Sequence, residues 1–288
     1  MKKKRIKQGL CYIVPYSAGF LVFYLIPVIW CIIYSLTGGV GGQVFVGFEN
    51  YKSVLGSHAY RLAIYNTMRF LLFGVPAAVV ISFFLAVMLQ GIGRRNTLYR
   101  IIFLYPMVLP VAGIVFFIKD FFGNDGIVGS IFSLIGSTPK DLLNSEYAFF
   151  ILVGLYVWKN CGYGMIIFLV GLNSIPAELK DIAKIEGANA IRIFRYVTFP
   201  QLVPSFFFVI VIAIVNSFKC FKEAYLIGGD SPNSSIYMLQ HFMNNNFQSL
   251  NYQRLSVASI LLFVIIWLLV FLLFQKKNRW EGSYLRSE

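Results

Sequence analysis

Residues 174–204 read SIPAELKDIAKIEGANAIRIFRYVTFPQLVP. This is the longest charge-bearing, internally patterned stretch of the chain, and it separates two apolar runs. Pro176 suits the first turn of a helix, and Ser174 is placed to cap it. Glu178 then lies near the positive end of the helix dipole. Leu179, Ile182, Ala183 and Glu186 follow i, i+3, i+4, i+7 spacing, with Lys180, Asp181 and Lys184 on the other sides. Gly187 permits a turn where a side chain would obstruct one. A second short helix is predicted over about Ala190–Tyr196, ended by Thr198–Phe199–Pro200. Two readings suit such a segment: an amphipathic helix lying in a membrane interface, or a helix that docks in a groove on a soluble subunit.

The rest of the chain supplies the membrane. Of its 288 residues, 58% are hydrophobic and 13% are charged, against about 25% charged in soluble domains. Six apolar runs are predicted to cross a bilayer as helices: 10–36, 61–90, 98–122, 147–172, 203–227 and 255–274. Barrel strands would be about ten residues long and alternating. The first run follows KKKRIK at residues 2–7, is too long for a signal core and has no small-residue cleavage site after it, so it is read as a retained helix, bent near Pro15 and Pro27. The predicted architecture is all-α and polytopic. One membrane domain covers 1–288, with an N-terminal helix at 10–36 and a core over about 61–275.

Basic residues orient it. Lys2, Lys3, Lys4, Arg5, Lys7, Arg94, Arg95, Arg100, Lys180, Lys184, Arg192, Arg195, Lys276, Lys277, Arg279 and Arg286 fall on one side, and Lys52, Arg61 and Lys140 on the other. Sixteen against three places both termini and the opening stretch in the cytoplasm by the positive-inside bias. The same distribution explains the net charge of +13 without nucleic acid. The outer connections, 37–60, 123–146 and 228–253, read either as solvated loops or as a surface for an extracytoplasmic partner.

Catalytic signatures are missing. There is no Walker A pattern, no G-x-S-x-G and no H-E-x-x-H. Cys11, Cys31, Cys161 and Cys220 have no metal-ligand spacing and read as apolar packing residues. Some polar residues nevertheless sit inside the apolar runs: Trp158-Lys159-Asn160 and Tyr163 in the fourth, and Asn216, Lys219, Lys222 and Glu223 in the fifth. A lysine at the bilayer centre costs ~2.5–3.5 kcal/mol on insertion scales. Lys159 therefore faces other helices or a watery cavity. Lys219 and Glu223, four apart, are spaced to pair. Arg69, Lys119 and Lys222 read as snorkelling residues. Trp158, Lys159, Asn160, Tyr163, Asn216, Lys219 and Glu223 form the candidate substrate pathway, with interhelical hydrogen bonding as the alternative.

The opening stretch resembles the EAA loop of ABC-importer permeases, whose pattern is E-A-A-x3-G-x9-I-x-L-P. Asp181-Ile182-Ala183, Gly187 and Val197-x-Phe199-Pro200 match its spacing throughout. Phe45-Val46-Gly47-Phe48-Glu49-Asn50-Tyr51, Asn66-Thr67, Trp158-Lys159 and Leu226-Ile227-Gly228-Gly229 through Pro232 are similar to landmarks of first-type sugar permeases. Asp181 and Ile182 depart from Glu and Ala, which implies a co-adapted partner groove. The resemblance implies a permease in the bacterial cell membrane that translocates a sugar or oligosaccharide. Its implied partners are a second homologous permease, two cytoplasmic ATPases holding ATP–Mg, and an extracytoplasmic solute-binding protein. The chain itself would be neither an enzyme nor a cofactor carrier. Glu178, Asp181, Ile182, Ala183, Glu186, Gly187, Ala188 and Pro200 would couple it to the ATPase. The alternatives are a permease for a polyol phosphate, amino acid or peptide, or a membrane enzyme or scaffold using Lys159 and Glu223.

Overall fold

The computed structural model describes residues 12–39, 41–92, 96–123, 126–134 and 141–284. Lys2–Lys7, Arg94, Arg95, Lys140, Arg286 and Cys11 lie outside them. In chain order the described elements begin with α1 (Tyr12–Leu36), a hairpin of β1 (Thr37–Gly38) and β2 (Val44–Phe45), α2 (Glu49–Gly56) and α3 (His58–Gln90). They continue with α4 (Asn96–Val108), α5 (Val111–Phe122), α6 (Ile127–Leu134) and α7 (Tyr147–Asn173). The last group is α8 (Ala177–Ile185), α9 (Ala190–Ile193), α10 (Phe199–Lys219), α11 (Phe221–Gly228), α12 (Leu239–Gln248) and α13 (Tyr252–Tyr284).

Five of these stretches are long and apolar enough to span a bilayer: α1, α3, α7, the continuous helical run Ala190–Gly228, and α13 up to Lys277. The predicted third span is different. It breaks at Leu109–Pro110 into α4 and α5, bent by 90°. Pro110 is extended (φ −60°, ψ 131°) and has no N–H to donate, so the helix stops at Val108 and restarts at Val111.

Two other prolines act differently from the sequence expectation. Pro200 does not end a helix. A π-helical turn over Phe194–Thr198 precedes it, and the helix runs on into α10 with Pro200 in its first turn. The wider turn relieves the clash between the proline ring and the carbonyl four residues back. Pro27 is handled in the same way, with a π turn over Leu21–Leu25 just ahead of it.

The chain divides into two compact units. The first comprises the described residues up to Arg61 together with Phe242–Ile266. Here the stretch read as a glycine-rich connection is folded. Asn50 Nδ2 donates to the carbonyls of Ser35 (3.1 Å) and Thr37 (2.9 Å), and the Tyr51 hydroxyl donates to the buried Ser35 Oγ at 3.0 Å. The side chains of the FENY landmark thus clamp the end of α1 to the hairpin and α2.

The second unit comprises Leu62–His241 and Trp267 onward. Its centre is α7, which contributes buried side chains along its length from Ala148 to Leu172. Toward one end, Met165, Phe168, Leu169 and Leu172 pack with Val75, Val79, Leu202 and Val209. Toward the other, Phe149, Leu152 and Tyr156 pack with Phe70, Ala78, Cys220 and Ile236. Lipid is as apolar as leucine, so close backbone approach must supply much of the attraction between these helices. Gly162 makes the tightest one: a Cβ there would run into the carbonyl of Phe103 on α4. Ser174 donates to the Gly171 carbonyl at 2.8 Å and so closes α7 instead of capping α8, whose N-cap is Pro176.

Gly162→Ala is expected to destabilise the protein by about 1–3 kcal/mol through overpacking. Gly154→Ala, on the same helix with open space at its Cβ, should be neutral or slightly stabilising. Thermal unfolding of the two variants in detergent checks the contrast.

Candidate functional site

Two sets of predicted residues occupy different parts of the second unit. The coupling candidates lie on α8 and the turn after it. Glu178, Asp181, Ile182, Glu186 and Gly187 are exposed, Ala183 and Ala188 half-buried, and no residue of α8 is buried. Helix α8 ends in a Schellman motif. Ala188 N–H donates to the Ala183 carbonyl (2.9 Å) and Gly187 N–H to that of Lys184 (3.0 Å), with Gly187 left-handed at φ +81°. Asn189 then caps α9 by accepting from Arg192 N–H at 2.9 Å. The Asp181–Lys184 ion pair is exposed and contributes little. The apolar side chains stay uncovered within the chain: Ile182 is 53% exposed and Ile185 87%.

From α9 the chain continues without a break through the π turn into α10, and here the structure shows residues that sequence reasoning missed. Phe194, Phe199 and Phe206 form a ring cluster with Phe83 of α3 and Phe168 of α7, at centroid separations from 4.6 Å (Phe168–Phe206) to 6.0 Å (Phe194–Phe199). Phe194 and Phe199 belong to the polar stretch, Phe199 also starting α10, and the others belong to membrane helices. The cluster therefore ties the α8–α9 segment to three membrane helices. Phenylalanine is so common here, at 29 residues, that no single one stands out in the sequence.

The pathway candidates are partly brought together. Asn216 Nδ2 donates to Asn160 Oδ1 at 2.9 Å, Asn160 Nδ2 donates to the Tyr156 carbonyl at 2.8 Å, and the Tyr156 hydroxyl donates to the Ala213 carbonyl at 2.6 Å. These bonds join α7 to α10. Asn160, Tyr163 and Asn216 line one small cleft with Ser82 of α3. Lys159 instead reaches α11, where its Nζ lies 2.5 Å from Glu223 Oε1. Glu223 is buried, and its Oε2 lacks a hydrogen-bond partner.

The predicted Lys219–Glu223 pair does not form. Regular α-helical bonding lapses at Cys220, whose N–H bonds back only to Ser217, and Lys219 ends exposed while Glu223 is buried. Trp158 is exposed and, like Lys219, lines no part of the asparagine cleft. Arg69, read as snorkelling, stacks its guanidinium 4.0 Å over the Phe149 ring.

The landmark pair Asn66-Thr67 has a structural role. Buried Asn66 donates to the carbonyls of Ser234 (2.6 Å) and Tyr237 (2.9 Å), and Thr67 Oγ1 accepts from Leu239 N–H at 3.0 Å. This holds the segment that follows α11. The same segment buries His241, a residue given no role from sequence. Its Nδ1 accepts from Met238 N–H at 3.1 Å, its ring stacks beside Tyr237, and Phe221 meets it edge-on. Burial lowers its pKa to about 4, against a smaller opposing effect of Asp230.

Comparison with known proteins places this arrangement. The model of the "Binding-protein-dependent transport system inner membrane component" family matches residues 74–277. The chain belongs to that family. The match runs from within α3 into the end of α13 and includes both sets of candidate residues. "Probable ABC transporter permease protein YesP" of Bacillus subtilis (strain 168) is 30% identical, with 100% of this chain and 97% of that one covered. "Arabinooligosaccharides transport system permease protein AraP" of the same organism is 30% identical over 88% of this chain and 83% of that one. The fold is shared with a bacterial ABC transporter involved in the import of the acidic polysaccharide alginate, at TM-score 0.81 and 20% identity over 96% of each chain. The chain is thus a multi-pass permease component of an ABC transporter. Its family role is transport and not catalysis, with ATP hydrolysis in separate subunits.

Removing one member of the Lys159–Glu223 pair strands the other. Glu223→Leu or Lys159→Met alone should cost about 3–5 kcal/mol, whereas the double variant should recover most of that loss. A double-mutant cycle on thermal stability reads the coupling. A pH dependence follows from His241. Its folded pKa lies below the ordinary 6.5, so the neutral form is the folded one. Its contribution is fully present above pH 6.5 and is lost as pH falls through 4. His241→Asn should flatten the fall of the melting temperature across that window compared with the parent permease.

Proposed function

We propose that this permease translocates a neutral sugar or oligosaccharide, delivered by an extracytoplasmic solute-binding protein, across the bacterial plasma membrane. The permease would pair with a second, homologous permease and two cytoplasmic ATPases, with both termini and α8 in the cytoplasm and the whole chain acting as one transport domain. The observation that carries the reading is α8 itself: a helix with an uncovered apolar face, closed by a glycine turn that leads through α9 into α10. Glu178, Asp181, Ile182, Ala183, Glu186, Gly187 and Ala188 would seat it in an ATPase groove, and Pro200 would mark where that seat becomes membrane helix. Motion of the ATPases would pass through Phe194 and Phe199 to α3, α7 and α10.

The substrate reading rests on names and on charge. Relatives are named for arabinooligosaccharides and for trehalose/maltose, the latter in Thermococcus litoralis at 25% identity. One named for sn-glycerol-3-phosphate, from Yersinia pestis, is 26% identical. Glu223 neutralises Lys159, which removes the cation that would have favoured an anionic solute. Amides and a phenol at Asn160, Asn216 and Tyr163 suit hydroxyl groups; Trp158 and Lys219 are exposed outside that cleft.

Reconstitution with its partner subunits and binding protein in proteoliposomes tests both parts. ATP-dependent uptake of an arabinooligosaccharide or a maltooligosaccharide is expected, without uptake of sn-glycerol 3-phosphate. Ile182→Asp should reduce uptake at least tenfold with unchanged thermal stability, because the side chain is exposed and its loss is felt only at the docked ATPase. Normal uptake by that variant would refute the docking role of α8.

A further inference from the structure

The first unit carries an exposed aromatic surface whose depth in the membrane is set by hydrogen bonds. Helix α1, Tyr12–Leu36, has 25 residues, which is about 37 Å at the helical rise. The hydrocarbon core is about 30 Å thick, and about 40–45 Å with its head groups. A centred span of this length, upright or modestly tilted, therefore ends among the head groups. Backbone and side-chain bonds return the following residues to that level. Phe45 stands opposite Thr37 in the register of the hairpin, and Val46 N–H donates to the Leu36 carbonyl at 2.9 Å. Asn50 and Tyr51 bond to Ser35 and Thr37. The chain thus comes back to the level at which the span ends instead of rising into water. The side chains held there are apolar and uncovered: Phe45 is 75% exposed and Phe48 70%, and Val44 and Leu55 are exposed as well. Lys52 N–H donates to the Phe48 carbonyl at 3.1 Å, so helical spacing runs from Phe48 through α2. Phe48, Lys52 and Leu55, at i, i+4 and i+7, fall on one stripe. Exposed Ser53 lies off that stripe, and Val54 is buried.

We propose that this surface is a membrane-interface anchor. Phe45, Phe48 and Leu55 enter the boundary between head groups and acyl chains, and α2 lies along the membrane surface with the Lys52 stem extended toward the head groups. Depth selects lipid as the occupant. Residues held level with the end of a span already stand where head groups and acyl chains meet. Helix α1 is itself exposed along nearly its whole length, so lipid beside it continues onto the hairpin. Helices that lie in this interface sink their apolar face about 5–10 Å into it, which an exposed stripe of one phenylalanine and one leucine, flanked by a second phenylalanine, permits. Anchored in this way, the hairpin and α2 would hold α1, which buries few of its own side chains, at a fixed depth. The inference rests on α1 as a membrane span and not on the solute, the ATPases or the side of the membrane on which the hairpin lies.

The test is site-directed spin labelling of the full-length chain, purified with the subunits that accompany it, in nanodiscs of phosphatidylcholine and phosphatidylglycerol. Cys11 and Cys31 are replaced by alanine, while buried Cys161 and Cys220 stay out of the reagent's reach. Labels are placed at Phe45→Cys, Leu55→Cys and, as the reference, Ser53→Cys. All three side chains are exposed, so the packing of the unit is retained. Power saturation compares collisions with oxygen, which partitions among acyl chains, and with a water-soluble nickel chelate. The oxygen-to-nickel ratio at Phe45 and at Leu55 should exceed that at Ser53 by roughly threefold or more. A label at Phe45 or Leu55 as open to nickel as the one at Ser53 would overturn the proposal in favour of a solvated loop. A label at either that neither reagent reaches would overturn it in favour of a protein partner. Collision rates are read without ATP or transport, so their failure leaves the transport reading standing, and failed uptake leaves the anchor standing.

Discussion

The close approach of α7 to the backbone of α4 is the constraint on which the second unit depends. In hydrocarbon, two leucine-faced helices gain little from meeting, and backbones must come near enough for dispersion and polar contacts to outweigh contact with lipid. Gly162 allows that approach because no Cβ stands between α7 and the Phe103 carbonyl. With α7 seated, its other faces become available to α3 and α10. The Tyr156 hydroxyl can then reach the Ala213 carbonyl, Asn160 can meet Asn216, and Lys159 can reach Glu223. Each of these polar contacts is long-range in sequence and would be costly if left unmade in an apolar medium.

The path from α8 into the membrane is governed by backbone register. A proline at position 200 would ordinarily break the helix, and a break there would make α8–α9 a loosely tethered arm. The π turn over Phe194–Thr198 absorbs the proline and keeps the helix continuous. It also helps bring Phe194 within reach of Phe83 and Phe199. A continuous helix and an aromatic anchor therefore share one cause, the accommodation of a single missing N–H. Pro110 shows the other outcome. No wider turn precedes it, so the helix stops and its axis bends by 90°.

Hydropathy made most of the fold legible, because a run of twenty apolar residues has few structural solutions in any medium. It located the five continuous spans to within a few residues, except that the fourth begins a full thirteen residues earlier, at Ala190. That miss has a physical reason: α9 and the π turn carry Arg192 and Arg195 yet are helical by hydrogen bonding, and hydropathy reports only the first property. The glycine of the coupling stretch was readable, since φ +81° at Gly187 is what a helix–turn–helix spacing demands. The polar contacts were not. Helical spacing favours Lys219 with Glu223, and only the lapse in the helix at Cys220 and the packing of α7 against α11 turn Glu223 toward Lys159 instead. His241 was unreadable for a related reason, because its burial comes from Asn66 and Thr67 holding the backbone of a segment about 170 residues away in sequence.

The pairing of charges bears directly on what such a pathway can pass. Inside a membrane every charge must be matched, hydrated or paid for by lost stability, and Lys159 is matched by Glu223 from a different helix. What remains facing the small cleft is uncharged: two amides, a phenol and the Ser82 hydroxyl. Such groups exchange hydrogen bonds with hydroxyls at little net cost and discriminate poorly by charge. The two amides also sit on α7 and α10, the helices whose far ends are held together by Phe168 and Phe206. A change in the angle between those helices at the aromatic cluster would alter the 2.9 Å contact between Asn160 and Asn216 together with the bond from Tyr156 to the Ala213 carbonyl.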